Sequence, residues 1–179
     1  MGLMAGAVKA GKIRAVGVSN YSAEQMRLAH AALAEHGLPL ASNQVEYSLL
    51  HRQPETNGVL DACRELGVTL IAYQPLAGGA LTGKYAAGER PRGLRRFMMG
   101  YFRVDNQVAI GPVLALLREI GERHGMTPAQ VAIRWLMENE CVLPIPGAKN
   151  SRQAAANAQA LAFSLTPDEV EALHRASVT

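Results

Sequence analysis

The sequence predicts an α/β fold built on a partial parallel sheet of about four strands with flanking helices. Three observations carry this. Apolar runs rich in β-branched residues, such as IRAVGV at 13–18 and VTLIAY at 68–73, lack helical spacing and read as buried strands. Segments with helix caps alternate with these runs, and such alternation implies parallel strands joined by right-handed crossovers. A closed eight-stranded βα barrel typically takes ~250 residues, so 179 residues with four strands amount to about half of one.

The elements follow in order. Residues 1–10 read as the last turns of a helix ended by Gly11, as if the chain were entered in mid-unit. After the strand at 13–18, Ser22 and Gln25 form a capping box for a helix reaching about Glu35, stopped by Gly37. A strand at 42–46 leads to a helix at 57–66 with Val59, Cys63 and Leu66 on one face and Gly67 as its cap. The third strand, 68–73, precedes a long irregular loop. Pro112 then opens a helix whose Val113, Leu116, Leu117 and Ile120 make one stripe, closed at Gly125. Thr127 and Gln130 cap the next helix, which turns Val131, Trp135 and Leu136 inward. A short strand at 142–145 and two helices, one from Ser151 and one behind the capping box Thr166–Glu169, complete a single domain over residues 1–179.

Composition narrows the function classes. Eighteen Lys+Arg against 15 Asp+Glu leave a net charge of +3, too small a bias to argue for nucleic acid. The excess is local: Lys84, Arg90, Arg92, Arg95, Arg96 and Arg103 share one loop, which suits either a phosphorylated ligand or a solvated surface. Cys63 and Cys141 lack the spacing of a disulfide framework or a zinc site, and buried, reduced thiols are expected. No apolar run approaches the roughly 18 residues of a membrane span and no signal segment opens the chain. The expectation is a cytoplasmic protein that binds neither metal, membrane nor nucleic acid. His30, His36 and His51 are assigned no role and are expected at exposed helix or loop positions.

One motif asks for a choice. GGALTGKY, residues 78–85, has the glycine and lysine spacing of a triphosphate loop, but Tyr85 stands where that loop needs a Ser or Thr hydroxyl for magnesium. A helix should also begin at once, and AAGERPRG reads as irregular chain. Some other phosphate setting remains open.

Five segments in order, GKIRAVGVSNYS, NQVEYSLLHR, LGVTLIAYQPLAGGALTGKY, MTPAQVAIRWL and VLPIPGAKNSRQAAAN, resemble the carboxyl-terminal half of an aldo-keto reductase over nearly the whole chain. That family is an NADPH-binding barrel of TIM type, and the resemblance makes the four strands its strands five to eight. It implies a carbonyl small molecule as substrate. GGALTGKY then becomes a dinucleotide clasp after strand seven, where such barrels commonly hold phosphate. Gly78 and Gly79 would let the backbone approach the pyrophosphate beside Pro75 and Leu76, and Lys84 would add a point charge. Gly147 and Lys149 lead into the helix at Ser151, whose free N–H groups suit the adenosine-ribose phosphate. Lys149, Gln153 and Asn157 match family positions there, while Ala156 stands where the family often has an acidic residue. Ser19, Asn20 and Gln44 match the residues holding the nicotinamide carboxamide, and Tyr73 the aromatic that stacks on its ring.

The family's catalytic tyrosine, lysine, aspartate and histidine lie in the other half of the barrel. No segment here matches their motifs, so no catalytic residue is assigned. Three readings stay open: the cofactor-binding half of an NADPH-dependent reductase, a non-catalytic half-barrel that pairs with itself or a partner, and an unrelated phosphate-ligand enzyme or nucleic-acid binder using the basic loop. A half-sheet would expose two edges and an apolar inner face, a drive to associate.

Overall fold

The computed structural model describes residues 1–84 and 104–177, with side chains from Ile110 onward in the second segment. Tyr85, the arginines at 90, 92, 95, 96 and 103, and the loop expected from residue 86 therefore lie outside the described residues up to 103. The chain runs α1 (Gly2–Lys9), β1 (Val16–Ser19), α2 (Ala23–Ala34), β2 (Leu40–Glu46), α3 (Gln53–Thr56), α4 (Val59–Leu66), β3 (Thr69–Tyr73), a 3-10 turn (Ala77–Thr82), α5 (Val104–His124), α6 (Pro128–Leu136), β4 (Val142–Pro144), α7 (Ser151–Ala158) and α8 (Pro167–Ala176).

The strands form one sheet in the order β1-β2-β3-β4, every neighbour parallel. Side chains alternate between its faces, as the pleat requires. Val18, Asn43, Leu70 and Val142 share one row across the sheet and face the helices. Ser19, Gln44, Ile71 and Leu143 share the next row and face the opposite way. That opposite face has no helix layer among the described residues: Leu143 is 53% exposed and Ile145 43%. Parallel sheets are ordinarily covered on both faces. Among the described residues this one buries a single face, so in the run at 13–18, expected to be buried, Gly17 is exposed, while Val18 on the covered face of the edge strand is half-buried.

The covered face carries the core. Met26 and Leu33 from α2, Cys63 from α4, Leu117 and Ile120 from α5, Trp135 and Leu136 from α6 and Leu173 from α8 are buried with Leu70 and Ala72 of β3. A fully buried Leu, Met or Phe side chain stabilises by about 1.5–3 kcal/mol. All three capping boxes form: Ser22 with Gln25, Thr127 with Gln130, Thr166 with Glu169.

Two helix boundaries differ from expectation. The helix expected at 57–66 begins at Val59, because Gly58 adopts a left-handed φ of 81° and separates it from the short α3 before it. Pro112 does not open a helix but lies inside α5. Ile110, Val113, Leu114 and Leu117 continue one buried stripe through it, so tertiary packing carries the helix past the lost hydrogen bond. The three histidines also differ: His30, His36 and His51 are half-buried. Cys63 is buried and Cys141 half-buried, both as free thiols, and burial pushes the Cys63 thiol up to about 12.

Candidate functional site

Three non-glycine residues have left-handed backbone, Asn20 (φ 57°), Gln74 (φ 52°) and Ala77 (φ 48°), and all three follow the carboxyl ends of β1 and β3. Such a conformation costs a non-glycine residue roughly 1–2 kcal/mol, and strain of this kind gathers where binding sites are built. At β1 the turn is held from beneath by Asn43, fully buried in β2. Its Oδ1 accepts from the Tyr21 N–H at 3.3 Å and its Nδ2 donates to the Tyr21 carbonyl at 3.0 Å. With the turn pinned, Ser19 and Asn20 face the open end of the sheet.

Those side chains form a connected set. The Ser19 hydroxyl donates to the Gln44 carbonyl at 3.1 Å, Asn20 Nδ2 donates to Ser19 Oγ at 3.3 Å, and the Tyr73 hydroxyl donates to Asn20 Oδ1 at 3.2 Å. The Asn20 N–H also reaches the Gln44 carbonyl at 2.9 Å. Gln44 joins this set through its main chain, its half-buried side chain lying in the inner-face row.

The glycine segment after β3 forms a 3-10 turn. Gly78 (φ 66°) and Gly79 (φ 103°) bend it and Gly83 (φ 76°) closes it. Ala77, Ala80 and Leu81 are buried as anchors, Thr82 Oγ1 donates to the Gly79 carbonyl at 2.7 Å, and Arg118 of α5 donates to the Gly83 carbonyl at 3.3 Å. Across from it, Asn150 caps α7 by accepting from the Gln153 N–H at 3.0 Å, and Gln153 Oε1 accepts from the Lys149 N–H at 2.7 Å. Asn157 Nδ2 donates to the Gly147 carbonyl at 3.4 Å. Buried Gln130 ties α7 to α6 by donating to the Ala156 carbonyl at 2.9 Å.

Between turn and helix lies a cleft of about 580 Å³. Pro75, Leu76, Gly78, Gly147, Lys149, Gln153 and Asn157 line it, together with Gln74 and Gly79. Lys84 is exposed and does not line it, although its N–H reaches Thr82 Oγ1 at 3.3 Å. Asn20 and Tyr73 border a second cleft of about 400 Å³ with Glu46, His51 and Asn57, and Ser19 and Gln44 line neither. The site residues thus fall into two groups, a polar cluster at the ends of β1 to β3 and a glycine-and-helix cleft at the ends of β3 and β4.

Gln74 was missed by the sequence reading. Its side-chain Oε1 is buried and is without a hydrogen-bond partner among the described residues. Asn43 and Gln130 were missed as the supports beneath the two groups; polar residues at buried positions of a strand and a capping box are the signal that points to each. Tyr47 illustrates the opposite case. Burial, then the charge and hydrogen bond of Glu55, push its phenol above the ordinary tyrosine range, and it donates to Glu55 Oε1 at 2.8 Å on the helix side of the sheet. A general acid must lie near the carbonyl it protonates with a pKa close to working pH, so Tyr47 does not qualify.

The aldo/keto reductase family model matches residues 1–177. The chain belongs to that family. It is 44% identical over 161 residues to the chloroplastic pyridoxal reductase of Arabidopsis thaliana, covering 89% of this chain and 42% of the relative. It is 38% identical over 180 residues to an aldo-keto reductase of Strobilurus tenacellus, covering 98% and 52%. Among solved structures, a thermostable aldo-keto reductase in complex with the inhibitor epalrestat aligns with TM-score 0.72 and 28% identity, over 98% of this chain and 53% of the other. A putative 2,5-diketo-D-gluconic acid reductase B gives 0.73 and 30%, over 98% and 50%. The fold is therefore that of the TIM-type aldo/keto reductases, and the chain spans about half the length of the curated relatives it matches. No helix among the described residues is long and apolar enough to cross a membrane.

Proposed function

We propose that residues 1–179 form one domain, the cofactor-binding half of an NADPH-dependent aldo/keto reductase whose complete form reduces aldehydes or ketones to alcohols. The observation that carries this is the cleft between the glycine turn after β3 and the amino end of α7. Its chemistry fits a dinucleotide. Two glycines with positive φ bring backbone close, helix N–H groups favour phosphate, and Lys149 supplies charge at the rim. Gly78, Pro75 and Leu76 would hold the pyrophosphate, with Lys84 lending charge from outside the cleft. Gly147 and Lys149 would hold the ribose phosphate, and Gln153 and Asn157 the adenine end. Ser19, Asn20 and Gln44 would hold the carboxamide, and Tyr73 would stack on the nicotinamide ring. When bound, the dinucleotide supplies the hydride that reduces a carbonyl carbon.

The named relatives include reductases of pyridoxal and of L-glyceraldehyde 3-phosphate, which supports a small carbonyl compound as substrate. An aqueous, reducing compartment such as the cytoplasm suits the two free thiols. Fluorescence titration of the chain with NADPH at low salt tests the reading. Saturable binding is expected, with negligible turnover of a generic aldehyde by this chain alone. A folded chain that does not bind NADPH would refute it.

The uncovered sheet face favours a second role beside the first. With Leu143 and Ile145 exposed and β1 and β4 the edge strands among the described residues, the half-barrel would associate with itself or with a partner that covers that face. Light scattering tests this: a mass well above 19.2 kDa is expected, and a strictly monomeric folded chain would contradict it.

A further inference from the structure

Asn57 is the one asparagine of the chain that a glycine follows. The pair Asn57–Gly58 lies between helices, since α3 ends at Thr56 and α4 begins at Val59. Asn57 is exposed. Its N–H closes α3 by donating to the Gln53 carbonyl at 2.9 Å, and its side-chain Oδ1 accepts from the Val59 N–H at 3.1 Å. The side chain thus makes an Asx turn with the backbone two residues on. No hydrogen bond holds the Gly58 N–H among the described residues.

These features favour one reaction. The amide carbon of an asparagine is open to attack by the nitrogen of the next residue when that nitrogen is unengaged and unhindered. Glycine has no Cβ to block the approach and passes through backbone conformations closed to other residues. A Cβ built at Gly58 meets nothing nearer than Ala23 Cβ, at an ordinary contact distance of 3.7 Å. The Val59 N–H draws charge from Oδ1 and is placed to hold the oxyanion of a tetrahedral intermediate. Attack requires rotation about the Asn57 ψ, which is 7°. Because the pair lies outside both helices, local opening supplies that rotation without unfolding the core.

We propose that Asn57 is a deamidation site of the folded chain. The Gly58 nitrogen bonds to Asn57 Cγ, the Cγ–Nδ2 bond breaks, and Nδ2 leaves as ammonia with the Gly58 proton. Water then opens the succinimide: addition at Cγ yields aspartate, and addition at the main-chain carbonyl yields isoaspartate. Water is consumed, ammonia is released and nothing is oxidised. Either product puts a carboxylate into the cleft that Asn57 shares with Asn20, Glu46 and His51, so that cleft gains negative charge as the protein ages. Isoaspartate also lengthens the backbone just before α4.

Peptide mass mapping of the full chain, held folded in mildly alkaline, ammonia-free buffer, tests this, with an isoaspartate-specific methyltransferase separating the two products. Conversion at Asn57 should run about tenfold faster than at Asn150, whose attacking residue Ser151 carries a Cβ; that factor is the rate equivalent of one disfavoured backbone conformation. In Asn57→Gln, which would need a larger ring, the early mass gain should be absent. An Asn57 that stays intact in the folded chain while the urea-unfolded chain converts it would overturn the proposal, because the fold would then protect the pair. Equal rates at Asn57 and Asn150, or an early mass gain that persists in Asn57→Gln, would overturn it as well.

Discussion

Replacing Glu55 by Gln should destabilise the chain far more than an ordinary surface change. Glu55 Oε1 accepts from the Tyr47 hydroxyl and from Arg52 Nε, each at 2.8 Å, and its Oε2 lies 3.2 Å from His174 Nε2. The side chains of Arg52 and Glu55 are only 13% and 17% exposed. Breaking a buried pair by removing one partner costs about 3–5 kcal/mol, because the other charge is left uncompensated. Arg52 would keep its bonds to the His174 carbonyl at 2.8 Å and Ser177 Oγ at 3.0 Å, and its place over the Trp135 ring at 5.5 Å. That retention reduces the expected loss to about 2–3 kcal/mol. For a chain of this length each kcal/mol moves Tm by about 2–4 °C, so a fall of about 4–12 °C is expected in thermal unfolding followed by circular dichroism. The double variant Arg52→Met with Glu55→Gln removes the stranded charge but also the bonds to the His174 carbonyl and Ser177 Oγ, so its loss should be smaller than the sum of the two single losses. A Glu55→Gln variant within about 1 kcal/mol of wild type, or losses that simply add, would refute the reasoning.

Further outcomes are expected. Gly121→Ala places a Cβ 2.4 Å from the Met126 carbonyl oxygen; overpacking of about 1–3 kcal/mol cancels or exceeds the ~1 kcal/mol gain in helix propensity, and a raised Tm would contradict it. Burial pushes the Glu169 carboxyl up, but the Thr166 N–H, His124 and Arg123 together hold it below its ordinary value. Its contribution is present above the unfolded carboxylate pKa and is lost as pH falls through the folded one, so Glu169→Gln should cost less in urea midpoint at about pH 3 than at pH 7. Equal costs would count against it. Lys149→Ala should weaken NADPH by about tenfold and NADH little, since one charge-assisted bond to the extra phosphate is lost; equal weakening would remove Lys149 from that phosphate.

Local signals were legible and tertiary ones were not. The capping boxes at Ser22, Thr127 and Thr166 were readable because donor and acceptor lie three residues apart. Pro112 misled because its local effect is to end or start a helix, whereas the buried stripe from Ile110 to Leu117 holds the helix through it. Gly58 misled because a glycine inside an apolar pattern does not announce its φ. The cleft residues Gly78, Gly147, Lys149, Gln153 and Asn157 line one cavity, while Lys84 does not line it. Gln74 could not be read at all, since what marks it is a missing partner, a property of the folded neighbourhood rather than of the residue.

Hydrogen exchange of the full chain with and without NADPH tests the central claim most directly. The account predicts added protection in two separate segments, 74–83 and 147–157, with a smaller effect at 19–21, and little change in α2 and α8. Binding that protects neither the glycine turn nor the start of α7, or no protection anywhere, would contradict it.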